Sequence, residues 1–221
     1  MATNERKRQT KLVRKAAQRK QHVQSLKSSA GPSLTALSPA KQMPRAVEAP
    51  VYECFIPAEL FEVGIGNAIF SRKLPGGDIG VSVFLLDVYC LGVKNAFFKV
   101  LPEHEYRILL QSIARHATLV STDPACLRKL VEEAEAYAAD LGFRPHPDYL
   151  VSRLIFGEID KAACSMAFEF GKAGKPLYVS GPNDTPAKSR KIIDTLTKRC
   201  GVGGAHYLVA LDGPPELESA F

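Results

Sequence analysis

Between Ile79 and Leu91 the chain reads IGVSVFLLDVYCL, which is apolar whichever alternate set of positions is taken. One set holds Ile79, Val81, Val83, Leu85, Asp87, Tyr89 and Leu91; the other holds Ser82, Phe84, Leu86, Val88 and Cys90. Side chains of a strand alternate between the two faces of a sheet, so a strand apolar on both faces has to be covered on both. That describes a central strand in a layered fold and makes Asp87 the anomaly. A carboxylate in such a place costs several kcal/mol unless it is paired or protonated.

The flanking sequence supplies the layers. Val51–Ile56 reads as a first strand, followed by a short helix around Ala58–Val63. Ala68–Leu74 then leads through Pro75-Gly76-Gly77-Asp78, a strong turn signal, into a strand over Ile79–Cys90. After a break at Gly92 to Asn95, Phe97–Val100 adds another strand to an antiparallel meander. Tyr106, Leu109, Leu110 and Ile113 recur with a helical period inside Glu103–Arg115. Asp123-Pro124 is an N-cap and first-turn pair for a helix with Leu127, Leu130, Val131, Ala134, Ala138 and Leu141 on one face, closed by Gly142. His146-Pro147-Asp148 opens a shorter helix with Leu150, Leu154 and Ile155 as its buried side. FEFGKAGKPLYVSGP reads as a hairpin, Ala167–Phe170 and Pro176–Ser180 around a turn at Gly171–Gly174. Thr185-Pro186 caps a helix with an apolar face of Ile192, Ile193, Leu196 and Cys200, stopped by Gly201, and His206–Leu211 is a last strand. The class is α+β: antiparallel sheet elements at both ends of one domain, with three to four helices between and after them.

Charge divides the chain differently. Residues 1–50 hold eleven Lys/Arg against Glu5 and Glu48, whereas the remaining 171 hold eighteen Lys/Arg against twenty-one Asp/Glu. The division places the basicity in the leader alone. Arg6, Lys7, Arg8, Lys11, Arg14, Lys15, Arg19 and Lys20 follow one another with no acid after Glu5, around a narrow stripe of Leu12, Val13, Ala16 and Ala17. Such a helix is marginal in water, because like charges repel and nothing covers the stripe. Residues 28–50 are rich in Ser, Pro and Ala, the composition of a linker. The expected organisation is therefore a disordered basic tail and linker over 1–50, one domain over 51–212 and a short tail over 213–221.

A run of cations without acids can neutralise phosphates and release counterions. The leading expectation is a non-enzymatic protein associated with RNA or DNA, structured RNA before DNA. A solubilising tail, a nuclear or organellar address and a membrane-surface contact are the competing readings of the leader. A protein partner for the acidic body is a further one.

Catalysis has thinner support. Asp87 with Lys94 or His146 would make a small site for an enzyme of unknown reaction, Asp87 acting as acid or base. The structural alternative places Asp87 where the strand bends, accepting backbone hydrogen bonds or pairing with a cation; Cys90 then packs, and Lys94-Asn95 forms a turn. Lys172, Lys175, Lys188 and Arg190 surround SGPNDTPAKSRK, where a helix N-terminus following a strand favours an anion, although the spacing of a phosphate loop is absent. Asp148 and Glu169-Phe170-Gly171-Lys172 miss the pattern of metal-dependent nucleases by one residue, and Glu158 and Asp160 read as solvated. Five cysteines without C-x-x-C pairing, and without histidines at ligand spacing, give no metal site and read as reduced thiols in a cytosolic protein. No cofactor motif appears. No apolar run reaches the length of about 18 residues needed to span a bilayer, and the N-terminus lacks the apolar core of a secretory signal.

The basic start together with LDVYCLGVKNAFF, HPDY, IFGEID and FGKAGKPLYVSGPND resembles an uncharacterised family of bacterial proteins, over roughly residues 51–211. The resemblance implies a bacterial cytosolic setting and brings no activity, cofactor or site residue.

Overall fold

A computed structural model of the chain describes residues 38–209 except Pro182. The leader and its eight cations therefore lie outside the described residues, as do the C-terminal residues from 210 onward.

Five strands form one antiparallel sheet: β1 (Val51–Pro57), β2 (Ile65–Lys73), β3 (Ile79–Asp87), β4 (Gly92–Leu101) and β5 (Leu119–Ser121), in the order β4-β3-β2-β1-β5. The fold is α+β. As its two apolar faces require, β3 lies inside the sheet and is covered on both sides. Helix α1 (Pro39–Val47), helix α4 (Pro124–Asp140) and the short helix α5 (Tyr149–Ser152) pack on one face, over Phe70, Phe84, Leu86 and Phe98. Helix α3 (Glu103–Ala114) packs on the other, where Tyr106 meets Ile69, Val81 and Val83. A short helix α2 (Leu60–Val63) connects β1 to β2.

Local signals place α4 as expected. The Asp123 carboxylate accepts from the amides of Ala125 and Cys126, Pro124 occupies the first turn, and Leu127, Leu130, Val131, Ala134 and Ala138 are buried. Helix α1 corrects the linker reading of 28–50. Pro39 sits where a missing N–H costs nothing, and Gln42, Met43 and Ala46 are buried against the sheet, so the body begins before Val51. The buried Arg72 guanidinium fastens this segment: it donates to the carbonyls of Ala49 at 2.6 Å, Ile155 at 2.7 Å and Phe156 at 3.0 Å.

Four further readings are corrected. β3 ends at Asp87, and β4 starts at once at Gly92, so Lys94 and Asn95 lie in a strand. After α5 the chain tightens into a 3-10 turn over Arg153–Phe156, which buries Ile155 and Phe156 and leaves Leu150 and Leu154 exposed. The turn at Gly171–Gly174 forms, with Lys172 bridging Lys175, but Ala167–Phe170 is no strand. Instead β6 (Leu177–Val179) runs parallel to β7 (His206–Leu208), joined through helix α6 (Pro186–Cys200) in a small β-α-β lobe.

The fourth concerns the thiols. Cys126 and Cys164 form a disulfide across 38 residues, whereas Cys54, Cys90 and Cys200 are free. The bridge ties the first turn of α4 to the end of a 3-10 turn at Lys161–Ala163. The same segment is held by Arg128, which donates to the carbonyls of Gly157 and Ile159, and by Lys129, which donates to those of Cys164 and Met166. Nothing local in the sequence marks the pairing, because it is made by packing and not by a motif.

Candidate functional site

The turn between β3 and β4, Val88–Leu91, is the joint between the sheet and the small lobe. Turns normally face water; this one is buried at all four residues. Its polar backbone is therefore satisfied from inside. Asp87 Oδ1 accepts from the amides of Tyr89 at 3.1 Å and Cys90 at 2.9 Å. The Val88 amide donates to Gly64 O, while the carbonyls of Val88 and Tyr89 accept from Gly171 and Leu177. The Tyr89 hydroxyl donates to the carbonyls of Phe61 and Glu62 and accepts from Lys172 Nζ at 2.7 Å. Val88 and Tyr89 join the main core. Cys90 and Leu91 pack with Leu141, Tyr178, Ile192 and Leu196 of the second.

Asp87 thus ends a strand by accepting backbone hydrogen bonds, and burial pushes its carboxyl above the ordinary range against the opposing field of Lys94 and the turn amides. Lys94 Nζ also lies 3.9 Å from Asp184 Oδ2. His146 is turned to its own loop: its amide donates to Val93 O, and Nδ1 accepts from the Asp148 amide. The three candidates for catalysis are neighbours in the fold, but none of their hydrogen bonds links His146 to Asp87 or Lys94. Burial also pushes the Cys90 thiol up, which favours its protonated form.

At the start of α6, where the sequence favoured an anion, the carboxylate of the chain's own Asp184 sits among the donors. Asp184 Oδ2 accepts from Gly181 N at 2.9 Å and from the Tyr178 hydroxyl at 3.1 Å, and Oδ1 meets Lys188 Nζ at 2.6 Å. Ser189 Oγ completes the cluster, 2.9 Å from the same hydroxyl, and Thr185 caps the helix through the Lys188 amide. Burial, with only 3% of the side chain exposed, pushes the Asp184 carboxyl up. Lys188, the Gly181 amide, Lys94 and Tyr178 outweigh it and hold the carboxyl at about 2. Sequence reasoning missed the Asp184–Lys188 pair, although its i,i+4 spacing was a readable signal. The other candidates disperse: Lys172 turns to Tyr89, Lys175 donates to Gly203 O and Arg190 is exposed.

Charge is segregated inside the body as well. Residues 38–170 carry thirteen Lys/Arg and seventeen Asp/Glu; residues 171–209 carry seven and two. In the first part cations are matched to acids, as in Arg107 with Glu53, Arg128 and Lys161 with Glu132, and Lys73 with Glu103. The sequence reading that put all basicity in the leader is therefore too coarse, because an acidic stretch masked a basic one in the sum.

Among the described residues no three His, Cys, Asp or Glu side chains are grouped to hold a metal, and no helix is long and apolar enough to cross a membrane. Comparison with protein-family models, with curated proteins and with solved structures finds no match to this chain.

Proposed function

We propose that this protein associates with nucleic acid without acting on it chemically, its N-terminal leader supplying contacts to phosphates. The observation that carries the reading is the run of eight Lys/Arg between residues 6 and 20, uninterrupted by any acid. A polyanion that meets such a run gains by releasing its condensed counterions, independently of base sequence. Two features of the body support it. Lys94, the cation offered for catalysis, is engaged with Asp184, and Asp87, the acid offered with it, has a structural role in its turn.

The test replaces Arg6, Lys7, Arg8, Lys11, Arg14, Lys15, Arg19 and Lys20 by Gln in the full chain. Binding to a fluorescent RNA hairpin and a duplex DNA is then followed by anisotropy between about 50 and 200 mM salt. The native chain should bind both with a steep salt dependence. The variant should lose affinity by a factor of roughly 100 or more, and its slope should flatten by about 4 to 7, near 0.9 for each phosphate that the leader no longer neutralises. Equal affinities and slopes for the two proteins would refute the reading.

A further inference from the structure

Helix α6 is oriented by its inner side. Ser189, Ile192 and Leu196 are buried against β6 and the turn that carries Cys90 and Leu91. With about 3.6 residues per turn, that packing directs Arg190, Asp194 and Lys198 outward on successive turns, with Lys191 beside them. All four are exposed. Arg199 flanks the row, and Lys172 and Lys175 are exposed on the same lobe. Of the two acids between residues 171 and 209, Asp184 has its side chain buried and already neutralised, so Asp194 is the one exposed acid among the described residues of this stretch.

We infer that the outward face of α6, through Arg190, Lys191 and Lys198, is a second nucleic-acid phosphate contact built into the folded body. The inference rests on the reading of the chain as nucleic-acid-associated and adds where the body itself touches the polyanion. Arg190 and Lys198 are eight residues apart, about 12 Å along the axis at 1.5 Å per residue. A duplex presents one charge per roughly 1.7 Å, so a face of this length meets several phosphates at once. A bilayer surface fits less well. An interfacial helix buries an apolar face among the lipids, and the apolar face of α6 is already buried in the core. Its outward face adds only the small residues Ala187 and Thr197 to the charged ones.

The test uses the full chain in four forms: native, the eight-Gln leader variant, and each of these with Arg190→Gln, Lys191→Gln and Lys198→Gln. The three side chains are exposed, so thermal melts should be unchanged. With the RNA hairpin at about 50 mM salt, the leader variant should keep weak binding that the α6 substitutions reduce at least tenfold, with a slope lower by about 2 to 3. Asp194→Asn in the leader variant should tighten binding two- to threefold, because it removes the one acid from the row. The inference is overturned if the α6 substitutions change neither affinity nor slope in both backgrounds, or if the leader variant binds nothing; the leader reading survives either result. If the native chain binds no nucleic acid, the reading beneath the inference fails too. Binding of the native chain to phosphatidylserine vesicles but not to RNA would overturn both in favour of a membrane surface.

Discussion

Strand β3 has an aspartate and a turn at each end. At the start, Pro75-Gly76-Gly77-Asp78 is open to water, and the Asp78 side chain makes none of the hydrogen bonds that close the turn; these are backbone bonds between Leu74, Gly77 and Asp78. At the end, Asp87 and Val88–Leu91 are buried, and the aspartate side chain holds two amides. The same residue type and the same sheet give opposite situations. What differs is the lobe: β6 and α6 cover one turn, and among the described residues no such lobe covers the other. An exposed turn is specified by its own residues, whereas a buried one is specified by what lands on it.

The sharpest way to break the comparison is to add one methyl group at each turn. Gly92, at φ 62°, opens β4, and a Cβ there would meet Ala134 O and the Ala138 Cβ of α4, each at 2.6 Å. Gly77, at φ 88°, faces open space. Both substitutions to Ala carry left-handed strain, but only Gly92→Ala also overpacks a backbone. Urea denaturation should give a loss of roughly 3 to 5 kcal/mol for Gly92→Ala and about 1 kcal/mol for Gly77→Ala. Equal losses would mean that α4 yields easily and that the buried turn is no more constrained than the exposed one.

A second pair removes the aspartates. Asp87→Ala leaves the Tyr89 and Cys90 amides buried without acceptors, a cost of roughly 3 kcal/mol, whereas Asp78→Ala should stay within about 0.5 kcal/mol. Asp87→Asn keeps an acceptor for the two amides and should lie between them. It also removes a titration with a definite sign. The folded carboxyl of Asp87 lies above its unfolded value, so the native state holds the proton longer. Stability from this group is present below the unfolded value near pH 4 and declines as pH rises through the raised one. Urea midpoints of Asp87→Asn should therefore lack that decline relative to the native chain.

The comparison also explains what could be read from the sequence. Asp123-Pro124 and Thr185-Pro186 announced α4 and α6 because capping is local, and the two-faced β3 announced a covered sheet because burial leaves a composition. Helix α1 was hidden, since Ser, Pro and Ala describe a linker until Met43 and Ala46 find a sheet to lie on. The parallel pairing of β6 with β7 was hidden because Gly171–Gly174 is a sound turn, and only packing decides which strands it connects. Asp87 was legible as a strand-end acceptor. Asp184 was legible only in part: its i,i+4 spacing to Lys188 is local, whereas its contact with Lys94 comes from ninety residues away.

Asp184 gives the smallest effect and the clearest sign. Its folded carboxyl lies at about 2, below an unfolded value near 3.9. The unfolded state therefore takes up the proton first as pH falls. The stability that Asp184 contributes, about 2 kcal/mol, is complete above pH 4 and is lost between roughly pH 4 and 2. Asp184→Asn should be less stable than the native chain by about that amount at neutral pH, and the gap should close toward pH 2. This runs opposite to Asp87, which costs stability as pH rises, so the two aspartates on either side of Lys94 pull the pH profile in opposite directions. Because the Asp184 cluster anchors the lobe that covers the turn, Asp184→Asn should also speed hydrogen exchange at the Tyr89 and Cys90 amides while leaving Gly77 unchanged. Unaltered exchange at the buried turn would show that the main core alone closes that end of β3.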